Sequence, residues 1–220
     1  MASEEVTAFQ STGKEYITTD PDSKISITGY VSSIAAGTGG LEEELAERFA
    51  AANTAMVGLM LADSATGDAG MPTYVLPATA ADSMKITAPA KGVMGIEGNF
   101  MAGTYGHRRG VCLWYGAVTA TGNKTGIDFG AAGSTGGDVY VWVQAITGSA
   151  TNASVKVQSA TTLGGTYADE ATVTFSAKGG FTAAMTGAIS QFLRLNIASM
   201  GGATAFTIAV VATVNGVTKP

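Results

Sequence analysis

The sequence predicts a mainly β protein, an antiparallel β-sandwich or barrel with one flanking α-helix. Three observations predict it. Short runs that alternate apolar and polar residues recur through the second half of the chain. Gly, Ser and Asn fall between those runs as turn signals. Only one stretch spaces its apolar residues as a helix does. The chain has 220 residues, of which 46% are hydrophobic and 13% charged, with 30 Gly. That is enough apolar material for one large β domain or two small lobes. The expected organisation is an N-terminal arm over 1–22, a β lobe over 23–120 and a β-sandwich lobe over 121–220. The boundary is placed in the Gly-rich region near 120–137.

Taken in order, the first two dozen residues are polar and read as an arm or an edge strand. Residues 25–34 are rich in β-formers and end at Gly37-Thr38-Gly39-Gly40. The helix is expected over 41–52, where Leu41, Leu45, Phe49 and Ala52 form one apolar stripe. Glu42, Glu43 and Glu44 occupy its first turn, which the helix dipole favours, and Glu44 and Arg48 are spaced as an i,i+4 pair. Laid across a sheet, this helix would turn its glutamates outward.

Strands are then expected at 56–61, 74–76, 83–88, 92–101 and 111–118. Downstream the alternation is cleaner. Val139, Val141, Val143 and Ala145 share a face against Tyr140, Trp142 and Gln144. Val155 and Val157 alternate with Lys156 and Gln158. Ala171, Val173 and Phe175 form a third set, Leu193, Leu195 and Ile197 a fourth, and Phe206 to Val214 a fifth.

Composition excludes several classes. Disorder does not fit a chain this apolar with a net charge of only −5. Collagen needs a three-residue glycine period that is missing. The best apolar run, 205–214, is about half of the roughly 20 residues that a spanning helix needs. The N-terminus begins acidic and shows no basic or apolar signal region, and the one cysteine, Cys112, allows no internal disulfide. Synthesis and folding in a cytoplasm are therefore expected. The acidic total argues against a nucleic-acid grip.

Catalytic chemistry finds little to stand on, and no enzyme activity, metal or cofactor is expected. The single histidine, His107, lacks the cluster of partners that a zinc site requires. Cys112 would need His107 as its base and otherwise reads as a small apolar strand residue. Ser11-Thr12-Gly13-Lys14 matches a Ser-x-x-Lys pattern without its companion motifs. Gly106-His107-Arg108-Arg109 reads as a solvated loop, a phosphate grip or a subunit contact. Trp114, Tyr140 and Trp142 read as packing aromatics or as a sugar platform.

Charge is uneven. Residues 1–100 hold 13 acidic against 5 basic residues, a balance of −8, whereas residues 101–220 hold 4 against 7, a balance of +3. One reading is a polar subunit whose acidic end meets the basic end of the next copy. The candidate subunit contacts are Glu42, Glu43, Glu44 and Glu47 on the acidic side and Arg108 and Arg109 on the basic side.

The stretch from Arg108-Arg109-Gly110-Val111 through Thr119-Ala120-Thr121-Gly122-Asn123-Lys124-Thr125-Gly126-Ile127-Asp128-Phe129-Gly130 resembles the centre of the tail tube (major tail) proteins of long, flexible-tailed bacteriophages. The layout continues through residues 139–145, 154–159, 171–175, 192–197 and 206–214. Upstream, Met71-Pro72-Thr73-Tyr74-Val75-Leu76 and Ile86-Thr87-Ala88-Pro89 are also similar to that family. The resemblance covers residues 55–214. It implies a β-sandwich with a helix on one flank, hexameric rings that stack into a tube, and passage of the phage genome without specific DNA binding. It further implies a place in the virion tail, made in the host cytoplasm, beside tape measure and tail terminator proteins. Two other readings stand beside it: a capsid decoration protein, and a carbohydrate-binding module using Trp114, Tyr140 and Trp142.

Overall fold

A computed structural model describes residues 3–6, 15–18, 24–30, 55–60, 69–87, 95–102 and 107–217. Every helix or strand among them is a β-strand, so the mainly β expectation holds. The helix expected over 41–52 lies outside the described residues, as do Ser11 and Lys14. Contacts divide the chain into two units, residues 1–57 with 76–107, and residues 58–75 with 108–220. The divisions thus fall at 57/58, 75/76 and 107/108, whereas the sequence suggests one boundary in the Gly-rich region. Residues 108–118 pair with a strand some ninety positions later, and such a non-local pairing leaves no compositional trace.

In the first unit β1 (Ser3–Val6) and β2 (Glu15–Thr18) pair with each other, so the expected arm carries a small antiparallel sheet. β3 (Lys24–Tyr30) pairs with β6 (Gly95–Ala102) over seven positions, and β6 pairs with the latter part of β5 (Pro72–Thr87). β4 (Ala55–Met60) also pairs with β5. Buried Asn99 is satisfied locally, accepting from the Ser26 hydroxyl at 2.5 Å and donating to Glu97 at 3.2 Å.

β5 corrects the expectation of separate strands at 74–76 and 83–88. One sixteen-residue strand runs straight through Pro77. Proline has no N–H for a ladder, and Pro77 falls between the stretch that pairs with β7 (Arg108–Val118), residues 72–75, and the stretch that pairs with β6, residues 79–87.

The second unit is a two-sheet sandwich. One sheet has the order β13-β10-β15-β7, formed by β13 (Gly179–Met185), β10 (Gly137–Gly148), β15 (Ala203–Val214) and β7, with Pro72–Val75 of β5 beyond β7. The other has the order β12-β11-β14, formed by β12 (Ala168–Phe175), β11 (Ala153–Ala160) and β14 (Phe192–Ser199). The two-residue strands β8 (Gly122–Asn123) and β9 (Ile127–Asp128) both pair with β14.

The inward faces match the alternating sets. Val139, Val141 and Val143, with Ile208, Val210 and Ala212, meet Val155, Val157, Val173, Leu193, Leu195 and Ile197 in one core. Phe206 stands edge-on to Phe175 at 5.2 Å. One assignment fails: Ala145 is exposed, and Ile146 packs against the core instead. The register to β15 shifts between Val143 and Ala145, and a bulge of one residue exchanges the two faces of everything beyond it.

Candidate assembly surface

β7 begins at Arg108, and its alternation sends neighbouring side chains to opposite faces. Arg108 donates to the Asp138 carboxylate at 2.8 Å, with both side chains about one-third exposed. Arg109 faces the other way, where it lines a shallow depression with Pro72, Phe129 and Val214 that has room for about one water molecule. The structure therefore does not bring the two candidate arginines together, and one of them is already ion-paired. His107 is exposed, and Cys112, five residues on, is fully buried in the sheet. The four candidate glutamates, Glu42, Glu43, Glu44 and Glu47, lie outside the described residues.

The Arg108–Asp138 pair borders a buried hydroxyl. Tyr140 is 2% exposed, on the face of β10 away from the sandwich core. Burial above all, and the Asp138 carboxylate next, push its hydroxyl up to about 12, against the lowering influence of Arg108 and of a hydrogen bond with Thr213. Such a tyrosine stays neutral and structural.

The three aromatics considered as a sugar platform do not share a face. Trp114 packs against the sandwich core, with the Lys124 ammonium 4.1 Å from its ring centroid. Tyr140 and Trp142 lie together on the opposite face of β10, their centroids 6.3 Å apart. The outer face of the second sheet is closed upon itself by polar contacts. Asp169 accepts from Lys156 and Gln158, each at 2.6 Å, and those two donors hold its carboxyl below the usual range. Gln158 in turn accepts from Arg194 at 2.8 Å, and the Arg194 guanidinium lies 4.0 Å from the Tyr167 ring centroid.

The sheet edges differ from one another, and they are what sequence reading missed. A bare edge is a row of unpaired N–H and C=O groups that templates another strand, and proteins guard edges with charges, bulges, Pro or short strands. β12 ends its sheet with Asp169 and Glu170, opposite a register shift at Val157/Gln158. The other margin of that sheet carries only the two-residue strands β8 and β9. β13 has no such guard. It ends its sheet with no second partner among the described strands, pairs with β10 over seven consecutive positions without a shift, and contains no charge and no Pro. Phe181, Ala183 and Met185 face the core, while Gly180, Thr182 and Ala184 are exposed. The signal was present in that alternation. It was too weak to see, because two glycines and three alanine or threonine residues surround only two large apolar side chains.

No family model matches the chain, and neither a curated protein nor a solved structure matches it.

Proposed function

We propose that this chain is a structural subunit that works by assembling with copies of itself, as a tail tube protein of a long-tailed phage does. The observation that carries the reading is the unguarded β13 edge on a body whose charged fraction is 13%, about half of what soluble chains usually carry. A surface of Ala, Gly, Thr and Ser is inexpensive to desolvate, and a bare edge supplies directional backbone hydrogen bonds. An edge of one copy that meets a different edge of the next makes a head-to-tail contact, which closes into a ring under cyclic symmetry. On this reading the rings are hexameric and stack into a tube that conducts DNA without gripping it. The neighbours are tape measure and terminator proteins, the location is the virion tail, and no reaction is catalysed. The helix over 41–52 belongs to the same reading as a flank cover.

The test places a guard on the edge. Thr182 and Ala184 are exposed, so Thr182→Lys with Ala184→Lys changes unfolding free energy by no more than about 0.5 kcal/mol per site. Wild-type protein is expected to form rings or tubes in electron micrographs, and the folded double variant is expected to stay small. Wild-type protein that remains monomeric at every concentration would remove the self-assembly reading. Tubes formed equally by the double variant would remove the β13 edge from it.

A further inference from the structure

Six asparagines occur in the chain, and Asn215 alone precedes a glycine. Asn215 and Gly216 are both exposed, in the turn after β15. The Val217 N–H closes this turn on the Val214 carbonyl at 3.1 Å. Gly216 has φ +75°, whereas Asn215 is not among the residues with positive φ, which is the pattern of a type II turn with glycine in its third position. Asn215 also fastens the start of β10. Its backbone N–H donates to the Gly136 carbonyl at 2.9 Å, and its side-chain amide donates to the Thr135 carbonyl at 3.0 Å. The segment held in this way pairs through Gly133 with Ile189, and then enters β10 at Gly137, opposite Met185 of β13.

We propose that Asn215–Gly216 is a self-modification site whose conversion releases this strap. The Gly216 nitrogen gives up its proton and attacks Cγ of Asn215. The Cγ–Nδ2 bond breaks, ammonia leaves with that proton, and a five-membered succinimide remains. Water then opens the ring on either side, to aspartate or to isoaspartate. Glycine permits the approach because no side chain shields its nitrogen, and exposure admits the water. The product replaces the N–H donor facing Thr135 with an anionic oxygen, so an attraction between donor and carbonyl becomes a repulsion between two acceptors. The isoaspartyl form also adds a methylene to the backbone of a closed turn. The strap over residues 133–136 is loosened in either case, and β10 lies next to the β13 edge. This inference is independent of the tail tube reading, since it concerns the folded chain by itself.

Folded protein is aged in mildly alkaline buffer and digested, and each asparagine peptide is followed by mass spectrometry that separates aspartate from isoaspartate. Conversion at Asn215 is expected several-fold faster than at Asn123, Asn152 and Asn196 in the same sample. Equal rates, or conversion confined to a denatured sample, would overturn the site. Asn215→Asp supplies the aspartyl product directly, with Asn215→Gln as the variant that keeps a donor. Amide exchange at Gly133 and Ile189 is expected to accelerate in the Asp variant more than in the Gln variant. Unchanged protection in the Asp variant would overturn the release of the strap.

Discussion

Single side chains in this protein hold structure, and Tyr140 shows it most directly. Its hydroxyl is raised to about 12 from an ordinary value of 10.0. A folded-state value above the unfolded one means that the native chain holds the proton more tightly. The contribution is therefore complete below pH 10 and is lost as pH rises from 10 towards 12. At about 1.4 kcal/mol per unit, the loss amounts to at most about 3 kcal/mol. Urea unfolding across that window is expected to show a fall in stability that Tyr140→Phe removes. An equal fall in the Phe variant would assign the alkaline sensitivity to other groups. The Arg108–Asp138 pair above it is about one-third exposed on both sides, and solvent-exposed pairs contribute about 0–1 kcal/mol. It orients the start of β7 more than it stabilises it.

At the scale of the element, close backbone approach decides what the Gly-rich segment must be. A Cβ on Gly137 would collide with the Thr213 carbonyl oxygen of the neighbouring strand, and one on Gly136, where φ is +76°, would strike the Met185 carbonyl. Both obstacles are backbone, which cannot swing aside as a side chain can. Gly137→Ala is expected to destabilise by at least the 1–3 kcal/mol typical of roughly one added methyl in a filled space, read as a lower thermal midpoint. Gly164→Ala is the control, because nothing lies within 4 Å of a Cβ there, and equal losses in both would refute the steric account. The same elements show what alternation can and cannot announce. β11, β12, β14 and β15 were legible because apolar residues alternate with polar ones in each, as Val155 and Val157, Ala171 to Phe175, Leu193 to Ile197 and Phe206 to Val214 do. β13 was not, since its inward residues are Phe181, Ala183 and Met185 and its outward ones are nearly as small as a turn's. Ala145 was read on the wrong face because a bulge is set by the partner strand, whose register no local pattern encodes. The stretches at 74–76 and 83–88 read as two strands, yet they are parts of one that changes partner from β7 to β6 along its length. Arg108 and Arg109 are adjacent in sequence, and for that reason a strand separates them.

For the whole molecule, the two kinds of contact that the proposed assembly would use respond differently to salt. Residues 1–100 balance at −8 and residues 101–220 at +3, and the proposed assembly would draw on that asymmetry if successive rings presented opposite signs to each other. Each exposed pair contributes little by itself, about 0–1 kcal/mol, but a ring repeats every contact around its circumference and makes a small term visible. Screening shortens the reach of that attraction from about 8 Å at physiological salt to about 3 Å at 1 M. Backbone pairing at the β13 edge and the desolvation of an Ala- and Thr-rich surface are not weakened in that way. Raising salt is therefore expected to slow the growth of tubes while rings persist, so that light scattering falls and micrographs show free rings accumulating. The paired lysine substitutions at Thr182 and Ala184 are directed at the other contact and are expected to prevent ring formation at every salt concentration. Stacking that is unchanged or faster at high salt would place apolar contacts at the axial interface and leave the charge asymmetry without a role in assembly.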